Sequence, residues 1–178
     1  MPKPQRIFIT GIAGSGKTTL ARRLASETGY IHLDIDQIRH PRSGVRTDPA
    51  EIERAIKALV HQADWVADGV PASWTKPLLA AADLIIWTDT SGRRSAYQIL
   101  QRYAVRRIQG NWPFRMRSTL RLAHGALTSR RPPHRRLGRP AGELPWHHEV
   151  RLALEPYADK VVRLESVAAA QRFRLEKL

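Results

Sequence analysis

The sequence predicts an α/β domain in which a parallel sheet carries helices on both faces. Three observations predict it. Segments of strand and helix pattern alternate along the 178 residues, the order that right-handed crossovers close into a parallel sheet. A glycine-rich run, Gly11-Ile12-Ala13-Gly14-Ser15-Gly16-Lys17-Thr18, lies between the first strand and the first helix. Gly11, Asp34, Asp68 and Asp89 all fall at predicted strand ends, the side on which such sheets bind ligands.

The elements follow in order. Arg6–Thr10 is a short apolar strand. Lys17–Thr28 reads as a helix, with Leu20 and Leu24 on one face and Gly29 as its stop. Residues 30–33 form a second strand ending at Asp34. Asp48-Pro49-Ala50-Glu51 resembles a capping box with proline at the first helical position, and the helix runs to about residue 63. Residues 65–67 are a third strand closed by Asp68-Gly69, and residues 74–82 a short helix. Leu84–Thr88 is apolar until its end, as a strand buried on both faces should be. A long helix covers 91–108, a shorter one 118–127, a fifth strand 160–164 and a closing helix 167–178. Residues 110–146, rich in arginine and proline, form an insert within a single domain spanning 1–178.

The glycine-rich run fits G-x-x-x-x-G-K-[ST], the phosphate loop of nucleotide-binding proteins. Its glycines let successive N–H groups face an anion, and the helix behind adds its positive end. The expected phosphate cradle is Gly11, Ala13, Gly14, Ser15, Gly16, Lys17, Thr18 and Thr19. Lys17 reaches the transferable phosphate of ATP, and Thr18 ligates Mg²⁺. This makes the fold a P-loop NTPase fold.

Carboxylates supply the remaining chemistry. Asp34 and Asp36, two apart at a strand end, point the same way on strand spacing. Either is a candidate for orienting or deprotonating an acceptor hydroxyl. Asp36 also suits capping the next helix. Asp68, followed by Gly69, is a candidate for the metal's water shell, and Asp89 is its rival. Arg39 suits an anionic acceptor, and Gly69 permits close backbone approach. None of the seven histidines shows metal-ligand spacing with a second ligand type.

The net charge of +14 belongs to one segment. No acidic residue lies between Asp89 and Glu143, whereas thirteen arginines do; the rest of the chain nearly balances. Arginine alone, without lysine, favours bidentate contact with phosphate or carboxylate. One expectation is a lid over the nucleotide, with Arg102 and Arg106 stabilising charge on the moving phosphoryl group. The alternative is a nucleotide-dependent nucleic-acid-binding protein that uses the stretch from Arg115 to Arg139, with Trp112, Phe114 and Trp146 free to stack on bases. There is no cysteine, which fits a cytoplasmic location. No apolar run suits a signal peptide or a membrane span.

With these residues in hand, the chain resembles the adenylate-kinase-like small P-loop kinases. Asp36-Gln37-Ile38-Arg39 looks like their D-x-h-R segment, and Asp34-Ile35-Asp36 is similar to the D-x-D of shikimate kinases. The segment from Val66 to Pro71 resembles the h-h-D-G-F-P-R segment of adenylate kinases, with Ala72 where the arginine belongs. Trp65-Val66-Ala67-Asp68-Gly69 and Ala81-Ala82-Asp83, leading to Asp89, bring the likeness closer to the DNA-topology-modulation, or FlaR-like, branch. The resemblance implies a five-stranded sheet in the order 2-3-1-4-5, which puts Asp68 beside the phosphate loop. It also implies an ATP-dependent kinase of a small-molecule or nucleotide acceptor, with Mg²⁺ as cofactor.

Overall fold

The computed structural model describes residues 3–39, 47–109, 116–130 and 147–177. Five parallel strands form one sheet: β1 (Arg6–Thr10), β2 (His32–Asp34), β3 (Trp65–Gly69), β4 (Leu84–Thr88) and β5 (Val161–Leu164). Their spatial order is β2-β3-β1-β4-β5, as the resemblance implies. The helices are α1 (Lys17–Thr28), α2 (Ile35–Arg39), α3 (Pro49–Val60), α4 (Lys76–Ala81), α5 (Gly92–Ile108), α6 (Met116–Thr128), α7 (His147–Leu154) and α8 (Val167–Arg172).

Period-two alternation divides the buried strand residues between two cores. Ile7, Ile9, Val66, Leu84 and Ile86 pack against Leu20, Ala21 and Leu24 of α1. Phe8, Trp65, Ala67, Ile85 and Trp87 face the other way, onto α3, α4 and α7. A third cluster joins Ile12 of the glycine-rich run to Ala96 and Ile99 of α5 and to Ala123 and Ala126 of α6. The α5–α6 hairpin is thereby packed directly behind the loop.

The structure departs from the sequence expectations at four places. β2 starts at His32 rather than Tyr30, and α2 follows it at once. The third helix ends at Val60, not near residue 63. α7 was not expected at the end of the proline-rich stretch. The closing helix stops at Arg172, with a separate 3₁₀ turn at Leu175–Lys177. Arg23 of α1 accounts for that stop. Its guanidinium donates to the carbonyls of Ala170, Gln171 and Phe173 at 2.9–3.0 Å, answering carbonyls that a longer helix would have bonded itself. Most of the insert at 110–146 lies outside the described residues, apart from α6 and the two residues that follow it.

Candidate active site

The glycine-rich loop is built by close packing. A side chain on Gly14, at φ 76°, would meet the Ser95 carbonyl oxygen of α5 at 2.4 Å. One on Gly11 would meet the Thr88 hydroxyl at 2.4 Å. The loop is also pinned. Ser15 Oγ lies 2.7 Å from Thr88 Oγ1, which itself donates to the Thr10 carbonyl at 2.9 Å. All three residues are buried. α1 begins behind Gly16 with no side-chain cap and no acid in its first turn, so its first N–H groups remain available to an anion. A Gly14→Ala substitution is expected to displace the loop from α5. Nucleotide affinity should fall by at least about tenfold, and equal affinities in titration calorimetry would count against this account of the loop.

Three charged side chains, Lys17, Asp36 and Asp68, converge beyond the loop with Thr18 and His32. Lys17 Nζ lies 3.9 Å from Asp36 Oδ2. Thr18 donates to Asp68 Oδ2 at 2.6 Å. The other Asp68 oxygen lies 2.6 Å from His32 Nε2. Asp68 is buried and pairs in register with Asp34 across the β2–β3 ladder.

Asp34 and Asp36 do not share a strand face, because β2 ends at Asp34 and Asp36 belongs to the first turn of α2. Only Asp36 turns to Lys17; Asp34 accepts from Gln37 Nε2 at 2.7 Å. Burial raises the Asp36 carboxyl above its ordinary value of 3.8, Lys17 opposes the rise, and Asp34 and Asp68 add to it. A carboxylate raised in this way is a better proton acceptor near neutral pH.

Gly69 sits under α2: a side chain there would meet Ile35 Cβ at 3.1 Å and Asp36 Oδ1 at 3.7 Å. Its absence of a side chain sets how close α2, and so Asp36, comes to β3. Arg39 lies over the Trp74 ring, 5.8 Å from its centroid. Arg102 is exposed on the second half of α5. The side chain of Arg106, and Arg115 and residues 131–146, lie outside the described residues.

Asp89 has a different environment from Asp68. It is buried at the end of β4, and three cationic or polarised side chains converge on it. Arg130 donates to Oδ1 at 2.7 Å; Arg163 Nε (2.9 Å) and His147 Nε2 (3.0 Å) reach Oδ2, as does Arg163 Nη2. Both oxygens are thus engaged, and Thr18 is paired with Asp68 instead. Arg163 also lies over the Trp87 ring, which contacts His147. The His147 backbone N–H donates to the Ser129 carbonyl at 3.0 Å, so Asp89 helps to fasten residue 130 to residue 147, the described residues on either side of 131–146. Arg130, one of the thirteen arginines, is therefore committed to the fold.

The sequence reading missed His32 and this Asp89 cluster. The signal for His32 was present, since on β2 it shares a face with Asp34 at period two. The partners of Asp89 lie 41, 58 and 74 residues away, and no local pattern announces them.

Among the described residues no group of three His, Cys, Asp or Glu side chains is placed to hold a metal. Thr18 and Asp68 instead offer a hydroxyl and a carboxylate, hard oxygens 2.6 Å apart at the mouth of the loop. That donor set fits Mg²⁺, which is commonly held by one or two protein oxygens together with substrate phosphates and water.

The fold and this site define a P-loop nucleotide-binding protein. A family model described as AAA domain matches residues 7–131, and the chain belongs to that family. Among curated proteins it is similar to a shikimate kinase of Chlorobium luteolum, 50% identical over 59 residues, covering 32% of this chain and 29% of that protein. It is also similar to a cytidylate kinase of Pyrococcus furiosus, 29% identical over 119 residues, covering 56% of this chain and 58% of that one. In both cases the match covers less than two thirds of the relative's length. Among solved structures, shikimate kinase from Bacteroides thetaiotaomicron shares the fold, with a TM-score of 0.51 at 15% identity over 98% of this chain and 99% of that one. No helix among the described residues is long and apolar enough to cross a membrane.

Proposed function

We propose that the protein is an ATP-dependent phosphotransferase that passes the γ-phosphoryl group to a hydroxyl or phosphate of a small acceptor. The observation that carries this reading is the meeting of Lys17 with Asp36, beside the Thr18–Asp68 pair, at the carboxyl end of the sheet. A second carboxylate facing the phosphate-loop lysine is placed to receive a proton from an acceptor. The curated relatives are named as kinases of two different acceptors, which supports the reaction class and leaves the acceptor open.

In this reading the N–H groups from Gly11 to Thr19 cradle the phosphates. Thr18 and Asp68 would hold Mg²⁺, which neutralises phosphate charge when bound. Lys17 follows the γ-phosphoryl group. His32 holds Asp68 in orientation from its other oxygen. Asp36 takes the proton of the acceptor hydroxyl as that oxygen bonds to the γ-phosphorus and the bond to the β–γ bridging oxygen breaks, releasing ADP. Arg39 and the backbone at Gly69 border the acceptor. Arg102 lies on the helix that packs against the loop and is a candidate for charge stabilisation. The segments around Trp65–Gly69 and Ala81–Asp83 carry the likeness to the DNA-topology-modulation branch, whose name specifies no acceptor. We place the reaction in the cytoplasm, in keeping with a chain that has no cysteine.

The test is ADP release with Mg²⁺ and ATP across nucleoside monophosphates, nucleosides, sugars and short oligonucleotides. Acceptor-dependent release from at least one small molecule is expected. Release by oligonucleotides alone, or ATP binding with no acceptor-dependent release, overturns the reading.

Asp36→Asn is expected to lower kcat by about 10²–10⁴ with nucleotide affinity unchanged. The sign of the pH dependence follows from the raised carboxyl. Below its pKa the group is protonated and accepts nothing, so kcat/KM falls as pH drops through a value above 3.8. The Asn variant should lose that limb; a variant that keeps both rate and limb assigns the base elsewhere.

A further inference from the structure

α5 buries one apolar stripe and presents a second to water. Ala96 and Ile99 lie in the cluster behind the glycine-rich run, and Ser95 is buried on the same side. Tyr97, Leu100, Ala104 and Ile108 recur every three or four residues, which aligns them on the opposite side of the helix, and all four are exposed. α6 repeats the pattern. Ala123 and Ala126 pack inward, while Met116, Leu120 and Leu127 are exposed along one side. Of the nine large apolar side chains exposed among the described residues, seven belong to these two helices, at 42–87% exposure. Single exposed apolar residues are ordinary on a protein surface, whereas such a concentration marks a contact surface.

Charge narrows what the contact is with. Neither helix contains an acidic residue. Arg93, Arg94 and Arg107 of α5, and Arg117 and Arg121 of α6, are exposed among the apolar side chains. Arg94 lies over the Tyr97 ring, 5.7 Å from its centroid. The partner is therefore anionic as well as apolar. Two copies of this chain meeting through these faces would set arginine against arginine. The phosphates of a nucleic acid would answer the arginines but leave Leu100, Ile108, Leu120 and Leu127 without an apolar partner. An acidic amphipathic helix lies in an apolar groove, and the cavities of about 860 Å³ and 430 Å³ are lined by residues of neither helix. A bilayer with anionic headgroups answers both features: headgroups meet the guanidinium groups, and the leucine, isoleucine and methionine side chains enter the acyl boundary.

We propose that the outward sides of α5 and α6 form a contact surface for an anionic lipid bilayer. The protein lies on that surface and does not cross it; none of its described helices is long and apolar enough to do so. The proposal is independent of the phosphotransfer reading. α5 meets the phosphate loop through its buried side, at Ser95 and Ile99, so bilayer and nucleotide would engage opposite sides of one helix.

The experiment is co-sedimentation of the full chain with two sets of vesicles, phosphatidylcholine alone and phosphatidylcholine with about one third phosphatidylserine. Binding to the anionic vesicles should be at least about tenfold tighter and should weaken as salt rises. Three double variants separate the contributions. Leu100→Gln with Ile108→Gln should weaken binding to the anionic vesicles by about tenfold or more. Arg107→Gln with Arg121→Gln should do the same. Arg22→Gln with Arg172→Gln removes two exposed charges from α1 and α8, and should change binding by less than about threefold. Should the apolar pair fail to fold, Leu120→Gln with Leu127→Gln gives the same readout. Equal binding to both sets of vesicles, no binding at millimolar lipid, or equal weakening by the two arginine pairs overturns the proposal. So does binding indifferent to the apolar substitutions, which is adsorption of a basic chain and not a built surface. Two further outcomes overturn it by reassigning the face. A dimer in light scattering that dissociates in the apolar variant gives the face to a second copy. A short oligonucleotide that binds, when vesicles do not, with an affinity lowered by the apolar substitutions gives it to nucleic acid.

Discussion

Lys17→Ala should abolish ATP turnover, lowering the rate by at least about a thousandfold, while leaving the fold intact. The side chain is nearly buried and lies at the start of α1, where it faces Asp36 across 3.9 Å. That distance is long for a salt bridge, and Asp36 is partly exposed, so the pair contributes little to stability. Thermal melting should move by no more than about 2 °C. The same substitution has a second effect. Lys17 is what restrains the rise of the Asp36 carboxyl, so its loss lets burial push that carboxyl further up. Turnover at the unsubstituted rate would remove Lys17 from the chemistry, and a collapse of the melting temperature would make its role structural.

Asp89→Ala should act in the opposite way, on stability before activity. The substitution leaves Arg130, Arg163 and His147 around an empty place at the end of β4. Removing one partner of a buried ion pair costs about 3–5 kcal/mol when the other charge stays buried. Here the arginine side chains are 44–49% exposed, so water takes over part of the lost interaction and a cost of about 2 kcal/mol is expected. For a chain of this size that is about 4–8 °C in melting temperature. Protease nicking near Ser129 and His147, where the two chain ends are fastened, should accelerate. Asp89→Asn should be nearly as damaging, because its amide presents a donor to a ring of donors. Melting within about 1 °C of the original protein, for both variants, rules out this anchoring role.

Much of the scaffold was legible in the sequence because its physics is local. Ile7-Phe8-Ile9 reads as an apolar strand and Leu84-Ile85-Ile86 as one buried on both faces, and both strands are buried in the sheet. The phosphate loop announced itself through glycines that the structure requires sterically at Gly11 and Gly14. α2 was not legible: five residues carry too little periodicity, and Asp34-Ile35-Asp36 mimics strand alternation. The same mimicry made the two carboxylates look equivalent, whereas only Asp36 faces Lys17. α8 ends early because of Arg23, 147–150 residues away in sequence. The choice between Asp68 and Asp89 depended on which strand adjoins β1 on the side of β2. That is a matter of sheet order, and both β3 and β4 flank β1. What separates the two acids is their company: a threonine hydroxyl and one histidine around the first, three basic side chains around the second.

The bond between Ser15 and Thr88, passed on to the Thr10 carbonyl, bears on the tempo of the cycle. A cradle already held in shape has little to rearrange when its ligand arrives, so the nucleotide should load about as fast as productive collisions allow. Slower adjustment is then left to the far bank, where the five-residue α2 carries Asp36 and Arg39. In the phosphotransfer reading, that asymmetry makes loading of the nucleotide the fast step and seating of the acceptor the slower one.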